Sequence, residues 1–415
     1  NSTMKNKFLQ EMQSRGYLNQ CTDLKKLGEI CDNGSISGYI GFDCTASSLH
    51  VGSLLQIMIL KLMQKHGHRP IVLLGGGTTL IGDPSGKDST RKILNQEEIN
   101  KNIKSIKKVF NKILDTSNKK TAPIFVNNAD WLTKLNYIQF LRDIGSHFTI
   151  NKMLTFDSVR LRLEREQSLS YMEFNYMILQ AYDFFQLFKK NNCILQIGGS
   201  DQWGNIVSGV DLIRRVSQKE AYGLTSPLIT LASGAKMGKT ENGAVWLNDD
   251  QFSSYDYWQF WRNTDDRDVK KFLNFFTEIS TVEIENISKS EKNINNLKIL
   301  LANEATKILH GENASKKAEK IAKDTFEKGG LNLNLPEIKI KLADIKKGIS
   351  ILDLIANNKI LSSKSEVRRA IINKGFKIDD VVVIDEKKKV QLKDFKNDIL
   401  KLSYGKKKHY LIKII

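Results

Sequence analysis

Tyr39-Ile-Gly-Phe-Asp43-Cys-Thr45-Ala-Ser-Ser-Leu-His50-Val-Gly52-Ser53 changes its periodicity part-way along, and that change decides the fold class. Upstream, Ser35 to Phe42 ends in an apolar run broken by glycines and reads as a strand. Downstream, Leu54, Leu55, Ile57, Met58, Ile59, Leu60, Leu62 and Met63 make a helix buried on more than one face. The polar cluster between them therefore sits at a strand-to-helix junction, where unpaired N–H groups and the positive end of the helix dipole favour an anion. Gly52 lets a ligand approach the backbone, and Thr45 and His50 can donate to phosphate oxygens. A capped helix with a surface histidine is the alternative reading of this stretch alone.

The same layout recurs. Ile71 to Leu74 runs as a short strand into Gly75-Gly-Gly-Thr-Thr-Leu-Ile-Gly82-Asp83-Pro84-Ser-Gly86-Lys87, with Arg91 beyond. The P-loop spacing fails here, because Ile81 stands five before Gly86 and Asp88 follows Lys87. The dinucleotide spacing fails at Leu80, where a third glycine would fall. What remains is a glycine-lined strand end with a carboxylate and two cations, suited to an ammonium group and a phosphate together. Cys193 to Ile197 is a third such strand, entering Gly198-Gly199-Ser200-Asp201-Gln202-Trp203-Gly204-Asn205 and a helix. Ile124 to Val126 leads likewise into Asn127-Asn128-Ala-Asp130-Trp131. Strands alternating with helices predict a parallel sheet whose carboxyl ends gather along one edge, where ligands bind.

Between these blocks, Glu173, Tyr176, Gln180 and Asp183 recur at helical spacing. They are expected to form one polar stripe facing a ligand, or an internal hydrogen-bond network. Lys236-Met-Gly-Lys239-Thr240 reads as a loop whose two lysines can swing onto a polyphosphate. His66 and His68, at the end of the first long helix, read as capping or solvated residues, and 151–167 as a charged surface segment. The lysines of Glu97 to Leu114 read as the solvated face of an amphipathic helix, although they suit nucleic acid as well.

Composition bounds the rest. The chain has 415 residues, a hydrophobic share of 40% and a net charge of +18. No apolar run suits a membrane span and no signal peptide opens the chain, so a soluble, cytoplasmic protein is expected, with Met4 as its native start. Cys21, Cys31, Cys44 and Cys193 lack metal-site or disulfide spacing, and free thiols are expected with no protein-bound metal. The last seventy residues, 346–415, carry 18 basic and 8 acidic side chains. Short helices, a Gly turn and clustered Arg and Lys there fit a small RNA-binding module. The expected divisions are a Rossmann-like catalytic domain (4–235), a mobile Lys loop with a helical domain (236–330), a linker (331–347) and a small α+β RNA-binding domain (348–415).

Taken together, Ser48-Leu-His50-Val-Gly52-Ser53, Lys236-Met-Gly-Lys239-Thr240, Tyr39-Ile-Gly-Phe-Asp43, Gly82-Asp-Pro-Ser-Gly-Lys87, Leu179-Gln-Ala-Tyr-Asp183 and Gln196 to Asn205 make the chain resemble class I aminoacyl-tRNA synthetases of the bacterial tyrosyl type. The tail resembles the RNA-binding fold of the ribosomal protein S-four type. The resemblance implies activation of tyrosine by ATP and transfer of the tyrosyl group to tRNA, by a homodimer. Magnesium would accompany the ATP. It implies further that Thr45, His50, Lys87, Arg91, Lys236, Lys239 and Thr240 stabilise the leaving pyrophosphate. Gly41, His50, Gly52, Ser53, Gly199, Asp201 and Lys239 would hold the nucleotide, Asp201 at the ribose. Asp83, Tyr176 and Gln180 would hold the substrate ammonium, Gln202 its carboxyl end, and Tyr39 and Asp183 its phenol, with Asp43, Asn128 and Trp131 nearby. Two positions depart from the family pattern: Ser53 replaces a histidine, and Cys44 replaces a proline, which is expected to loosen the turn. A tryptophanyl enzyme and a non-catalytic RNA-binding paralogue are the alternatives, the first disfavoured by Tyr39 and Asp183, the second by the intact His50, Asp201, Lys236 and Lys239.

Overall fold

The structure, a computed structural model, describes residues 5–83, 94–240, 243–328, 335–406 and 408–415. Lys87 and Arg91 lie outside the described residues. Six strands form the central sheet: β1 (Gln20–Cys21), β2 (Ser37–Phe42), β3 (Arg69–Leu74), β4 (Ile124–Asn127), β5 (Cys193–Gly199) and β6 (Tyr222–Ser226). Their spatial order is β1-β6-β5-β2-β3-β4, parallel throughout except for β1. The chain therefore winds outward one way from β2 through β3 and β4, and the other way from β5 through β6. The crevice beyond the carboxyl ends of β2 and β5 is the switch point at which such sheets take ligands.

Strand residues alternate between two cores, as a period of two requires. Ile40, Phe42, Val72 and Leu74 pack on one face with the helices Leu54–Lys65 and Gln96–Ile113. Tyr39, Ile71 and Leu73 pack on the other with the helices Tyr176–Asn191 and Trp203–Ser217. The first core continues into five helices between Ser254 and Lys328, where Tyr257, Trp258, Trp261, Phe272 and Phe276 are buried. No described helix is long and apolar enough to cross a membrane.

The C-terminal part is a five-stranded sheet with two helices, Ile351–Asn357 and Lys364–Ile372, over a core of its own. Its edge strand is Glu337–Ile340, parallel to Lys408–Ile414. The segment expected as a linker up to 347 is thus, from Glu337 onward, an integral strand followed by the helix Leu342–Lys347. A linker reading of Asn, Pro and Lys content missed it because edge strands tolerate such composition. The sheet also docks on the helical domain. Ile399 and Leu411 belong to the main core, and Glu337 lies 3.2 Å from Arg262 and 3.0 Å from Lys413. Lys413 also donates to Asn263 Oδ1 at 3.1 Å. Burial pushes Lys413 down to about 8; it would raise Glu337 too, but Lys413 and Arg262 outweigh it and hold that carboxyl low.

Two further expectations are corrected. His68 is buried, not solvated: its Nδ1 accepts from Ile36 N–H at 3.1 Å, and burial holds its pKa down to about 4. His66 does cap the long helix, with Nε2 3.0 Å from Glu11. The segment 151–167 holds two short helices, Ile150–Met153 and Asp157–Glu164, with Met153, Val159 and Arg162 buried.

Candidate active site

The switch-point crevice is a deep cleft lined by β2, β5, the turn after β3 and the helix Tyr176–Asn191. Asp183 lies at its floor. Burial raises its pKa to about 7, against two donors that favour the carboxylate: Trp131 Nε1 to Oδ1 at 2.7 Å and Asn128 Nδ2 to Oδ2 at 3.0 Å. Asn128 is itself oriented by Gly77 N–H, which donates to its Oδ1 at 2.8 Å. Beside Asp183, the Tyr39 hydroxyl is buried with no hydrogen-bond partner among the described residues. A buried donor in that state requires an acceptor from whatever fills the cleft.

Tyr176, Gln180 and Asp183 line the cleft at the predicted helical spacing, but Glu173 does not join them. The helix breaks at Asn175. Glu173 sits in the preceding turn, where it closes a capping box with Ser170 and pairs with buried Arg162 at 2.7 Å. The signal was in the sequence: Ser170-Tyr-Met-Glu173 has capping-box spacing.

Midway along the cleft, Gln202 Nε2 donates to Asp83 Oδ2 at 2.8 Å. Asn205 Nδ2 donates to Gln180 Oε1 at 2.9 Å and to Gln202 Oε1 at 3.3 Å. Asn205 thus ties two expected substrate-holding amides together, a role its place one helical turn after Gln202 would have allowed. Tyr176 hydroxyl faces Asp43 Oδ1 at 3.5 Å. Gly41, Gly199 and Asp201 also line the cleft, with Gln56, Thr78 and Gln196, which were not singled out from the sequence; Gln196 stands opposite Tyr39, and Thr78 accepts from Asn128 at 2.9 Å. A Cβ on Gly199 would lie 2.9 Å from Asp201 Oδ1, so only glycine leaves that carboxylate its place.

Thr45, His50, Gly52, Ser53, Lys236, Lys239 and Thr240 do not line this cleft; Thr45 stands two residues from Asp43 and Ser53 three from Gln56, both of which do. The structure brings the His50 and Lys236 stretches together. Val51 N–H donates to Val245 O at 3.0 Å, Leu247 N–H to Leu49 O at 2.9 Å and Val245 N–H to Gly238 O at 3.0 Å. Gly238 adopts φ +113°, and a Cβ there would stand 2.4 Å from His50 Nδ1. Lys236, Lys239 and Thr240 remain exposed. His50 Nδ1 accepts from Gly52 N–H at 2.9 Å, so this nitrogen serves as a cap. The turn at Cys44 is braced where loosening was expected. Its N–H, which a proline lacks, donates to Thr79 Oγ1 at 3.0 Å, and Asn102 Nδ2 donates to its carbonyl at 2.8 Å.

Residues 32–327 match the family model for class I tRNA synthetases (W and Y). The chain belongs to that class I tRNA synthetase family. Curated relatives include the tyrosine–tRNA ligase of Pelagibacter ubique, 62% identical over 99% of this chain and 100% of its own length. That of Rickettsia prowazekii is 52% identical over 98% and 100%. Among solved structures, a C-terminally truncated mitochondrial tyrosyl-tRNA synthetase from Aspergillus nidulans superposes with TM-score 0.69 at 28% identity, over 77% of this chain and 94% of its own. A tryptophanyl-tRNA synthetase from Encephalitozoon cuniculi, at 14% identity and TM-score 0.56 over 78% and 91%, shares the fold of this synthetase family.

Proposed function

We propose that the cleft is where tyrosine and ATP become tyrosyl-adenylate, the first step of tyrosine–tRNA ligase activity. The tyrosine carboxylate attacks the α-phosphorus in line and pyrophosphate leaves; a ribose hydroxyl of the tRNA's terminal adenosine then attacks the acyl carbon and AMP leaves. Neither step needs a protein nucleophile, so the chain's work is positioning and charge neutralisation.

The observation that supports the reading is the buried Tyr39 hydroxyl beside Asp183 in a cleft lined by the ends of β2 and β5. A phenol donates to the Asp183 carboxylate and accepts from Tyr39. A phenylalanine ring would leave both unpaired, and an indole N–H cannot accept from Tyr39. Asp83, Tyr176 and Gln180 then face the substrate ammonium, Gln202 its carboxyl end and Asp201 the ribose. Thr45, His50, Lys236, Lys239 and Thr240, joined by Lys87 and Arg91, neutralise the departing pyrophosphate. Magnesium enters with the nucleotide on its phosphates, and the reaction is cytoplasmic. Loss of one such preorganised donor is expected to slow activation on the order of 100- to 1000-fold. The test is ATP–pyrophosphate exchange with tyrosine, tryptophan and phenylalanine in parallel. Tyrosine-dependent exchange is expected, and exchange with none of them would leave a binding-only protein.

The working unit in this reading is a homodimer. Seven of the fifteen exposed large apolar side chains among the described residues fall between Tyr137 and Tyr171, with Ile138 71% and Tyr171 68% exposed. A concentration of that kind fits a second copy of the chain. Ile138→Asp with Tyr171→Asp should convert a dimer to a monomer by light scattering, and a mass unchanged from the parent dimer would assign the interface elsewhere.

A further inference from the structure

Lys236, Lys239 and Thr240 are exposed, so the anchoring of the segments on either side decides where they stand. Upstream, Ala232 N–H donates to Asp268 Oδ2 at 2.9 Å and Lys271 donates to Thr230 O at 3.2 Å, which ties that end to the helical body. Downstream, Lys239–Thr240 pairs antiparallel with Gly243–Ala244, and Val245 N–H donates to Gly238 O at 3.0 Å. The backbone of Lys239 is therefore bonded to the limb that returns toward His50. That limb continues as a short antiparallel ladder along 48–51, with the bridge His50 to Trp246 at its centre and Val245 and Leu247 fully buried.

Asn248 ends the ladder and is 5% exposed. Its N–H donates to Ser48 Oγ at 3.1 Å. Its side-chain Nδ2 donates to the carbonyl of Ser105 at 3.0 Å, inside the helix Gln96–Ile113. A carbonyl only accepts, so this contact fixes which side of the amide is the nitrogen. The other side, Oδ1, is buried with no hydrogen-bond partner among the described residues. An unpaired buried oxygen is costly, and the amide's donor offsets that cost by tying two segments together. Asn248 thus joins three pieces of chain: the His50 stretch through Ser48, the limb bonded to Lys239, and the helix that follows Lys87 and Arg91 in the sequence.

Resting on the reading of Lys239 as a partner of the departing pyrophosphate, we propose that Asn248 is a positioning residue for adenylate formation. By holding the return limb to Ser48 and Ser105, it sets where Lys239 stands relative to His50. It does so from outside the cleft, which it does not line.

The test uses the full-length protein with Asn248→Ala and Asn248→Ser, each alone and combined with Lys239→Ala. Both substitutions remove the amide donor, and serine keeps a polar group should alanine not fold. Tyrosine-dependent exchange gives kcat and KM, and equilibrium binding gives the affinity for tyrosine. Each single variant should lower kcat by about 10- to 100-fold, the order of loss that a misplacement of about 1 Å causes, with the KM and affinity for tyrosine unchanged. Where Lys239 is already alanine, adding either substitution should change kcat by less than about twofold, because residues that act as one unit are not additive. An unchanged kcat, a parallel loss of tyrosine affinity, or the full fall repeated in the Lys239→Ala background would each make Asn248 a merely structural residue and overturn the inference alone. No exchange by the unsubstituted protein, or undiminished exchange by Lys239→Ala, would overturn the reading beneath it as well.

Discussion

In the cleft, the two residues proposed to carry the discrimination, Tyr39 and Asp183, each give a separate measurement. Tyr39→Phe removes a single neutral hydrogen bond, so kcat/KM for tyrosine should fall about 3- to 10-fold while that for phenylalanine is unchanged. An equal fall for both amino acids would mean that the hydroxyl serves packing instead. Asp183 titrates at about 7 because burial disfavours its charge, against an ordinary 3.8. Between about pH 4 and 7 the folded chain therefore keeps a proton that the unfolded chain has lost, and stability declines as pH rises through that window. Asp183→Asn has no such proton to lose. The melting temperature of the variant minus that of the parent should move upward from pH 5 to pH 8, and a constant difference would refute the shift. Asp183 was legible in the sequence as part of a polar helical stripe, whereas the role expected of Tyr39 came from the family resemblance alone. Cys44 was misjudged: substitution of a proline was read as lost rigidity, whereas it adds an N–H that Thr79 accepts at 3.0 Å. Nothing local in the sequence names Thr79, thirty-five positions away, as that acceptor.

Among the elements, the polar stripe shows where periodicity succeeds and where it stops. Tyr176, Gln180 and Asp183 share a face because they share one helix, while Glu173 belongs to the turn before the break and neutralises Arg162. That pairing also makes the charged 151–167 segment a packed one, which its composition concealed. The two motif loops depend on each other in a way that pattern matching does not convey. Gly238 holds φ +113° with its α-carbon against His50, and strain at such a position costs on the order of 1–3 kcal/mol. Gly238→Ala should thus slow tyrosine-dependent exchange by about 5- to 150-fold and leave the equilibrium binding of tyrosine alone unchanged. Equal losses in both would mean that the substitution damages the whole cleft.

Across the whole molecule, the sheet order and the helical body follow from alternating patterns, but the attachment of the tail does not. Glu337–Ile340 was hidden in an apparent linker, since a lone edge strand of four residues has too little pattern to declare itself. Its place in the C-terminal sheet bears on where the chain can be cut. Removing 335–415 takes away a complete sheet, and should preserve adenylate formation while weakening tRNA binding. Removing only 346–415 keeps Glu337 paired with Arg262, whereas the longer deletion takes that carboxylate from the buried guanidinium and should give the lower melting temperature. Identical melting curves would show that the buried charges do not couple the two parts. Ile399 and Leu411 share one apolar cluster with Val51 and Leu54, which flank Gly52 and Ser53. A load placed on the basic tail therefore passes into the packed interior beneath the helix that follows His50, and not into a bare hinge.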